Sequence, residues 1–178
     1  MNAAHLHLLV NHLPLFASLF AAGVLAYALY RNLPALVNVG LVLALVAGVG
    51  AFAASQTGER AEGVVEELPG VTETAIEAHE GAAEAATWAA IVTGLLALGG
   101  LALPDRAQRT QRLVAMATLA LTLLTFALVA RAANLGGMIR HTEIGSATYT
   151  PNGYVSGTPG VTGAPFRGST AFVSSNQM

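Results

Sequence analysis

The sequence predicts an all-α fold, an integral membrane four-helix bundle with both termini on the same side of the membrane. Three observations support this prediction. Hydrophobic residues make up 54% of the 178 residues and charged residues only 10%, whereas soluble domains usually carry about 25% charged residues. The mean hydropathy is +0.59. Four apolar stretches each reach the roughly 20 residues that a helix needs to cross a bilayer.

The four predicted spans are separated by two short breaks and one long connection. Tight turns are expected at Arg31–Pro34 and Leu103–Arg106, so neighbouring helices should be antiparallel. In the long connection, residues 58–68 predict a short amphipathic helix, and Thr74–Glu77 match a capping box. The spans cover residues 6–30, 34–54, 75–103 and 111–133.

The chain is expected to divide into two parts. Residues 1–144 form the transmembrane domain, in which Gly136 and Gly137 should end the fourth helix. Residues 145–178 form an extramembrane tail rich in Gly, Ser, Thr and Pro, with a coil-like conformation.

Arginine placement predicts the orientation. The side with the short loops carries four arginines and one acid, whereas the other side carries eight glutamates along its helix ends and loop, together with Arg60, Arg140 and Arg167. Positive-inside reasoning places the short loops in the cytoplasm of a bacterial inner membrane. Both termini, the long loop and all histidines would then face the periplasm. The four arginines are Arg31, Arg106, Arg109 and Arg112.

This topology brings five histidines from distant parts of the sequence to one end of the bundle. His12 is the deeper histidine of the first span, beside an expected kink at Pro14, and His79 lies one turn into the third span. These two are the expected core of a site, whereas His7 is interpreted as an incidental interfacial residue. The expected cofactor is haem b or a divalent metal ion. Residues expected to bind a cofactor are His12, His79, His141, His5, Arg60 and Arg140, and the alternative metal ligands are His12, His79, Glu80 and His141.

A carboxylate inside the hydrocarbon region is costly and usually has a partner. Glu84 should lie at the hydrocarbon edge of the third span, and Arg131 lies at a similar depth in the fourth. The sequence therefore predicts a Glu84–Arg131 ion pair.

Several classes of function are excluded. The chain has no cysteine, which rules out disulfides, iron–sulfur clusters and covalent c-type haem. The net charge of −2 gives no indication of nucleic-acid binding. No phosphate-binding loop, dinucleotide-binding glycine pattern or serine-nucleophile motif occurs, and the chain is not expected to be an enzyme on its own.

Four segments together resemble a family of small bacterial four-helix membrane proteins of unknown function. They are HLHLLVNHLPLF, TGERAEGVVEELPGV, IEAHEGAAE and LGGMIRHTEI. A looser similarity extends to four-helix membrane domains regarded as b-type cytochromes. The family resemblance implies the topology and a functional end formed by the matched residues His5, His12, Glu59, Arg60, His79, Glu80, Arg140 and His141.

Three functional hypotheses remain open from the sequence. The first is an electron-transfer subunit of a larger complex, in which two imidazoles bind haem b or a metal ion and Arg60 or Arg140 neutralises propionates. The second is a structural or assembly subunit whose histidine cluster is a hydrogen-bonded lock. The third is a zinc- or copper-binding membrane protein. The expected partners are the lipid bilayer and other membrane or periplasmic subunits.

Overall fold

The computed structural model describes residues 3–65, 71–104 and 107–140, and these ranges contain helices and no strand. Only Asn11 separates the first two helices, which together form one of the four long helices. The predicted all-α four-helix bundle is therefore confirmed. The helices are α1 (Ala3–Val10), α2 (His12–Arg31), α3 (Pro34–Val65), α4 (Glu73–Leu101) and α5 (Gln108–Arg140).

The chain divides into the units Met1–Gly145 and Ser146–Met178. The predicted tail, residues 145–178, lies outside the described residues, and so does His141. All five helices belong to the first unit.

Within the described ranges, four helices are long and apolar enough to cross a membrane, with mean hydropathies between 1.5 and 2.4 in their most apolar windows. Large apolar side chains on their outer faces are exposed, among them Trp88 at 62% and Leu95 at 63%. The interior is built mostly from alanine, glycine and threonine. Large apolar groups outside and small residues inside are the arrangement expected for helices packed in lipid. The four spans are His5–Arg31, Pro34–Gly63, Glu73–Leu101 and Gln108–Ile139.

Each long helix packs against the next one in sequence, and α2 also packs against α5, which closes the ring. The α2–α3 connection is a tight turn in which Asn32 adopts a left-handed conformation (φ 54°) and Leu33 N–H donates to the Ala28 carbonyl at 2.9 Å. This up-and-down order places the start of α1, the end of α3, the start of α4 and the end of α5 at one end of the bundle. We call it the histidine end, and the opposite one the turn end.

Two helices extend beyond their predicted limits. α3 does not stop near residue 54 but continues to Val65, so the part of the predicted amphipathic helix that the structure describes is the last part of α3. α5 continues through Gly136 and Gly137 to Arg140. Glycine weakens a helix by about 1 kcal/mol but does not by itself end one, and Gly136 is packed against another helix.

The start of α4 and the break in the first span also refine the predictions. The N-cap of α4 is Thr72 rather than Thr74, and its hydroxyl accepts a hydrogen bond from Ala75 N–H at 3.4 Å. The first span breaks at Asn11, three residues before the buried Pro14. Because proline has no N–H and its ring crowds the preceding turn, a break at this point is expected.

Close backbone contact and a buried hydroxyl pair join the helices in mid-bundle. A Cβ atom added at Gly48 of α3 would lie 2.8 Å from the Ala90 oxygen of α4. The hydroxyls of Thr93 in α4 and Thr125 in α5 are 3.0 Å apart and fully buried. Hydrogen bonds of this kind between membrane helices contribute about 0.6 kcal/mol on average.

Candidate functional site at the histidine end

His7 is a half-buried histidine that joins α1 to α3. Its Nδ1 lies 3.0 Å from the carbonyl oxygen of Ala54 and 3.3 Å from the Thr57 hydroxyl oxygen. The Thr57 hydroxyl donates to the α3 backbone, at 3.0 Å from the Ala54 oxygen, so it can accept from His7. A carbonyl oxygen only accepts, and Nδ1 must therefore carry the proton. The interpretation of His7 as an incidental interfacial residue is corrected by this placement.

His79 makes the corresponding contact in the other half of the bundle. It lies in the second turn of α4 and is half-buried, and its Nδ1 is 2.9 Å from the carbonyl oxygen of Ala132 in α5. The same reasoning assigns the proton to Nδ1.

A glycine stands four residues after each accepting carbonyl. A Cβ atom at Gly58 would lie 3.2 Å from Cε1 of His7, and one at Gly136 would lie 3.0 Å from Cε1 of His79. Residues i and i+4 share one face of a helix, so each imidazole contacts the accepting carbonyl and the glycine one turn later on the same face of the neighbouring helix. The same construction thus occurs twice, once in each helical hairpin.

The chemical consequence concerns the second ring nitrogen. When Nδ1 of a neutral imidazole donates to a backbone carbonyl, Nε2 has a free lone pair, and this arrangement is typical of histidines that bind metals. We call His7 and His79 the interior histidine pair.

His12, which the sequence favoured as a ligand, faces outward. It is exposed, its Nδ1 lies 2.9 Å from the Leu8 carbonyl oxygen of the preceding turn, and its ring stacks on Phe16 with centroids 6.4 Å apart. The break at Asn11 separates His12 from the helix that carries His7. Ligation by His12 therefore stays a prediction, whereas His7 and His79 each contact a neighbouring helix.

The other predicted site residues lie around this end. His5, Arg60 and Glu80 are exposed, and Arg140 is the last residue of α5. Within the described ranges, no group of three or more His, Cys, Asp or Glu side chains is arranged to hold a metal ion. The predicted metal set of His12, His79, Glu80 and His141 includes one residue outside those ranges.

Glu84 and Arg131 are both exposed, and among the described residues no ion pair joins them. The interior face of α4 carries His79, Ala82 and Ala86, and Glu84 is about 200° from Ala82 around the helix. The predicted pair is thus not formed in this structure, because the carboxylate lies on the outer face of α4.

Asn11 adds a feature that no pattern in the sequence indicates. Its side-chain oxygen is buried and has no hydrogen-bond partner among the residues that the structure describes. It lies one turn beyond His7, whose carbonyl accepts from Asn11 N–H at 2.9 Å. A buried polar atom without a partner is uncommon, and this one offers a hydrogen-bonding position one turn from His7.

Comparison of the chain with protein-family models, with curated proteins and with solved structures finds no match. The resemblance to small four-helix membrane proteins and to b-type cytochrome domains accordingly stays a prediction. Function is therefore inferred from the geometry of the histidine end.

Proposed function

We propose that the chain is a membrane subunit that binds haem b through the interior histidine pair and serves electron transfer within a larger complex. The observation that carries the proposal is the matched pair itself. His7 and His79 each have Nδ1 engaged by a carbonyl oxygen of the neighbouring helix, at 3.0 and 2.9 Å. Both therefore keep an Nε2 lone pair for a ligand, and two axial imidazoles are a common ligand set for b-type haem.

The residues present fit this group in two further respects. Gly58 and Gly136 leave the space that the imidazoles occupy. Arg60 and the terminal residue of α5, Arg140, lie at the same end and would neutralise haem propionates. Haem, when bound, supplies one-electron chemistry, while the chain contributes two oriented imidazoles and a low-dielectric setting.

A metal ion held by protein ligands alone is less well supported. Structural zinc sites use four protein ligands and catalytic zinc sites three, whereas the described ranges contain no such group. Zinc or copper binding would need His141 or another residue outside these ranges.

The arginine distribution supports insertion in a bacterial inner membrane with the histidine end facing the periplasm. Electron exchange would then take place near the periplasmic surface, with quinol or a neighbouring subunit as partner.

A structural lock is the second candidate function, and one observation favours it. Each interior histidine already joins the two helices of its own hairpin through a hydrogen bond. Such bonds would hold the histidine end together without any cofactor, as expected for an assembly or structural subunit.

An absorption spectrum of the full chain, purified from cells supplied with haem precursor, tests the two functions. We expect a reduced α-band of the b type, which His7→Ala and His79→Ala each abolish. His12→Ala is the matched control and should keep the band, because His12 is exposed and hydrogen-bonds to the turn that precedes it in the same span.

Melting temperatures separate loss of ligation from loss of folding. A colourless, metal-free preparation that folds normally and loses stability in His7→Ala and His79→Ala would favour the lock and reject haem binding. Retention of the band in both variants, with loss in His12→Ala, would instead identify His12, which the sequence favoured, as a haem ligand.

A further inference from the structure

A cavity of about 210 Å³ lies at the turn end, far from the interior histidine pair. The end of α2, the α2–α3 turn, the start of α3 and the start of α5 line it, and one side is open. Leu29, Leu33 and Val37 supply apolar walls, and Asn32, Gln111 and Arg112 supply polar ones. One cavity therefore offers both apolar surface and hydrogen-bond donors.

The charge around this cavity is positive. Arg31, Arg109 and Arg112 are exposed here, and the described part of the turn end contains no carboxylate side chain. Asp105 is the acid of the connection between α4 and α5, outside the described ranges. The guanidinium of Arg112 donates from Nη1 to the Asn32 side-chain oxygen. A guanidinium has five N–H donors in all, so Arg112 can also bind an anionic oxygen.

We propose that this cavity binds an anionic phospholipid, with the phosphodiester at Arg112 and the first part of an acyl chain along Leu29, Leu33 and Val37. Basic pockets between membrane helices are suited to anionic headgroups. A free phosphate would satisfy Arg112 but leave the apolar walls without a partner. A zwitterionic lipid would fill the walls, but its own cation would oppose the surrounding arginines.

Thermal unfolding of the full chain in detergent, titrated with lipid, tests the proposal. Phosphatidylglycerol should raise the melting temperature more than phosphatidylcholine with the same acyl chains, and inorganic phosphate should have little effect. Arg112→Gln should weaken the apparent affinity for phosphatidylglycerol roughly fivefold, the effect of about 1 kcal/mol per basic residue near anionic lipid. Arg109→Gln removes the same charge from a residue that does not line the cavity and should have a smaller effect.

Because Arg112 also bonds Asn32, a second variant addresses the cavity without removing charge. Leu33→Trp should fill the apolar part and reduce the preference for phosphatidylglycerol while Arg112 remains. Equal losses in Arg112→Gln and Arg109→Gln would mean diffuse surface attraction and overturn the proposal. It would also be overturned if inorganic phosphate stabilised the chain as well as phosphatidylglycerol, or if Leu33→Trp bound that lipid normally.

Discussion

At the scale of single residues, the packing of the histidine end depends on two glycines, whose lack of a side chain leaves room for an imidazole. Gly58 and Gly136 each lie beside an imidazole, whereas a Cβ atom at Gly63 or Gly137 in the same helices would meet no atom of the described residues within 4 Å. The two glycines of each helix therefore have different expected roles. Gly58 and Gly136 accommodate an interior histidine, whereas Gly63 and Gly137 only add backbone freedom.

The α5 glycines give a matched test of this difference. Gly137→Ala should stabilise the chain by up to about 1 kcal/mol, because alanine is the better helix former and meets no neighbour. Gly136→Ala would place a methyl 3.0 Å from His79 Cε1, and overpacking of this kind costs about 1–3 kcal/mol. We expect a lower melting temperature for Gly136→Ala and, if haem is bound, a lower haem content. Equal behaviour of the two variants would contradict this role of Gly136.

The same residues show how far the sequence could predict the site. Topology gathered the histidines at one end, and His79, one of the two expected core residues, does contact a neighbouring helix. The choice between His7 and His12 required knowing which face of the first span turns inward. Apolar residues on all sides give no such signal in lipid, and five residues of helix place His7 and His12 about 140° apart around the first span.

At the scale of helices, length and hydropathy predicted the spans well, because a bilayer requires long apolar helices whatever their neighbours. The helix ends were less predictable. The sequence predicts that Gly136 ends the fourth helix and that Gly58 begins a separate short one, but both lie inside continuing helices and pack against histidines. Such packing depends on residues about 50 positions away, which local patterns do not reveal.

The close contact between α3 and α4 depends on the absence of a side chain at Gly48. Gly48→Ala would place a methyl 2.8 Å from the Ala90 backbone oxygen, and the clash could be relieved only by moving a helix backbone. We expect a loss of about 1–3 kcal/mol in unfolding free energy, measured by denaturation in mixed detergent.

Two controls accompany this variant. Gly94→Ala, on the other side of the same contact, places its methyl 3.4 Å from Gly48 Cα and should be tolerated. Gly99→Ala meets nothing within 4 Å and should be neutral or slightly stabilising. If Gly48→Ala were as stable as these two, the close approach of α3 and α4 would be in doubt.

At the scale of the whole molecule, the bundle consists of two hairpins with a similar internal bond. In each one, a histidine near the start of the first helix donates to a carbonyl near the end of the second, one turn before a glycine. Both bonds lie at the end opposite Arg31, Arg109 and Arg112. The proposed haem site therefore lies at the histidine end, and the proposed lipid site lies among the arginines of the turn end.

The orientation of these two ends can be tested with single cysteines, since the chain has none of its own. Gly63 near the histidine end and Gln108 at the turn end are both exposed. Positive-inside reasoning predicts that a membrane-impermeant maleimide labels Gly63→Cys in intact cells. Gln108→Cys should be labelled only after the membrane is permeabilised. The reverse pattern would place the interior histidine pair on the cytoplasmic side and would contradict electron exchange with a periplasmic partner. Haem binding itself would still be decided by the absorption spectrum.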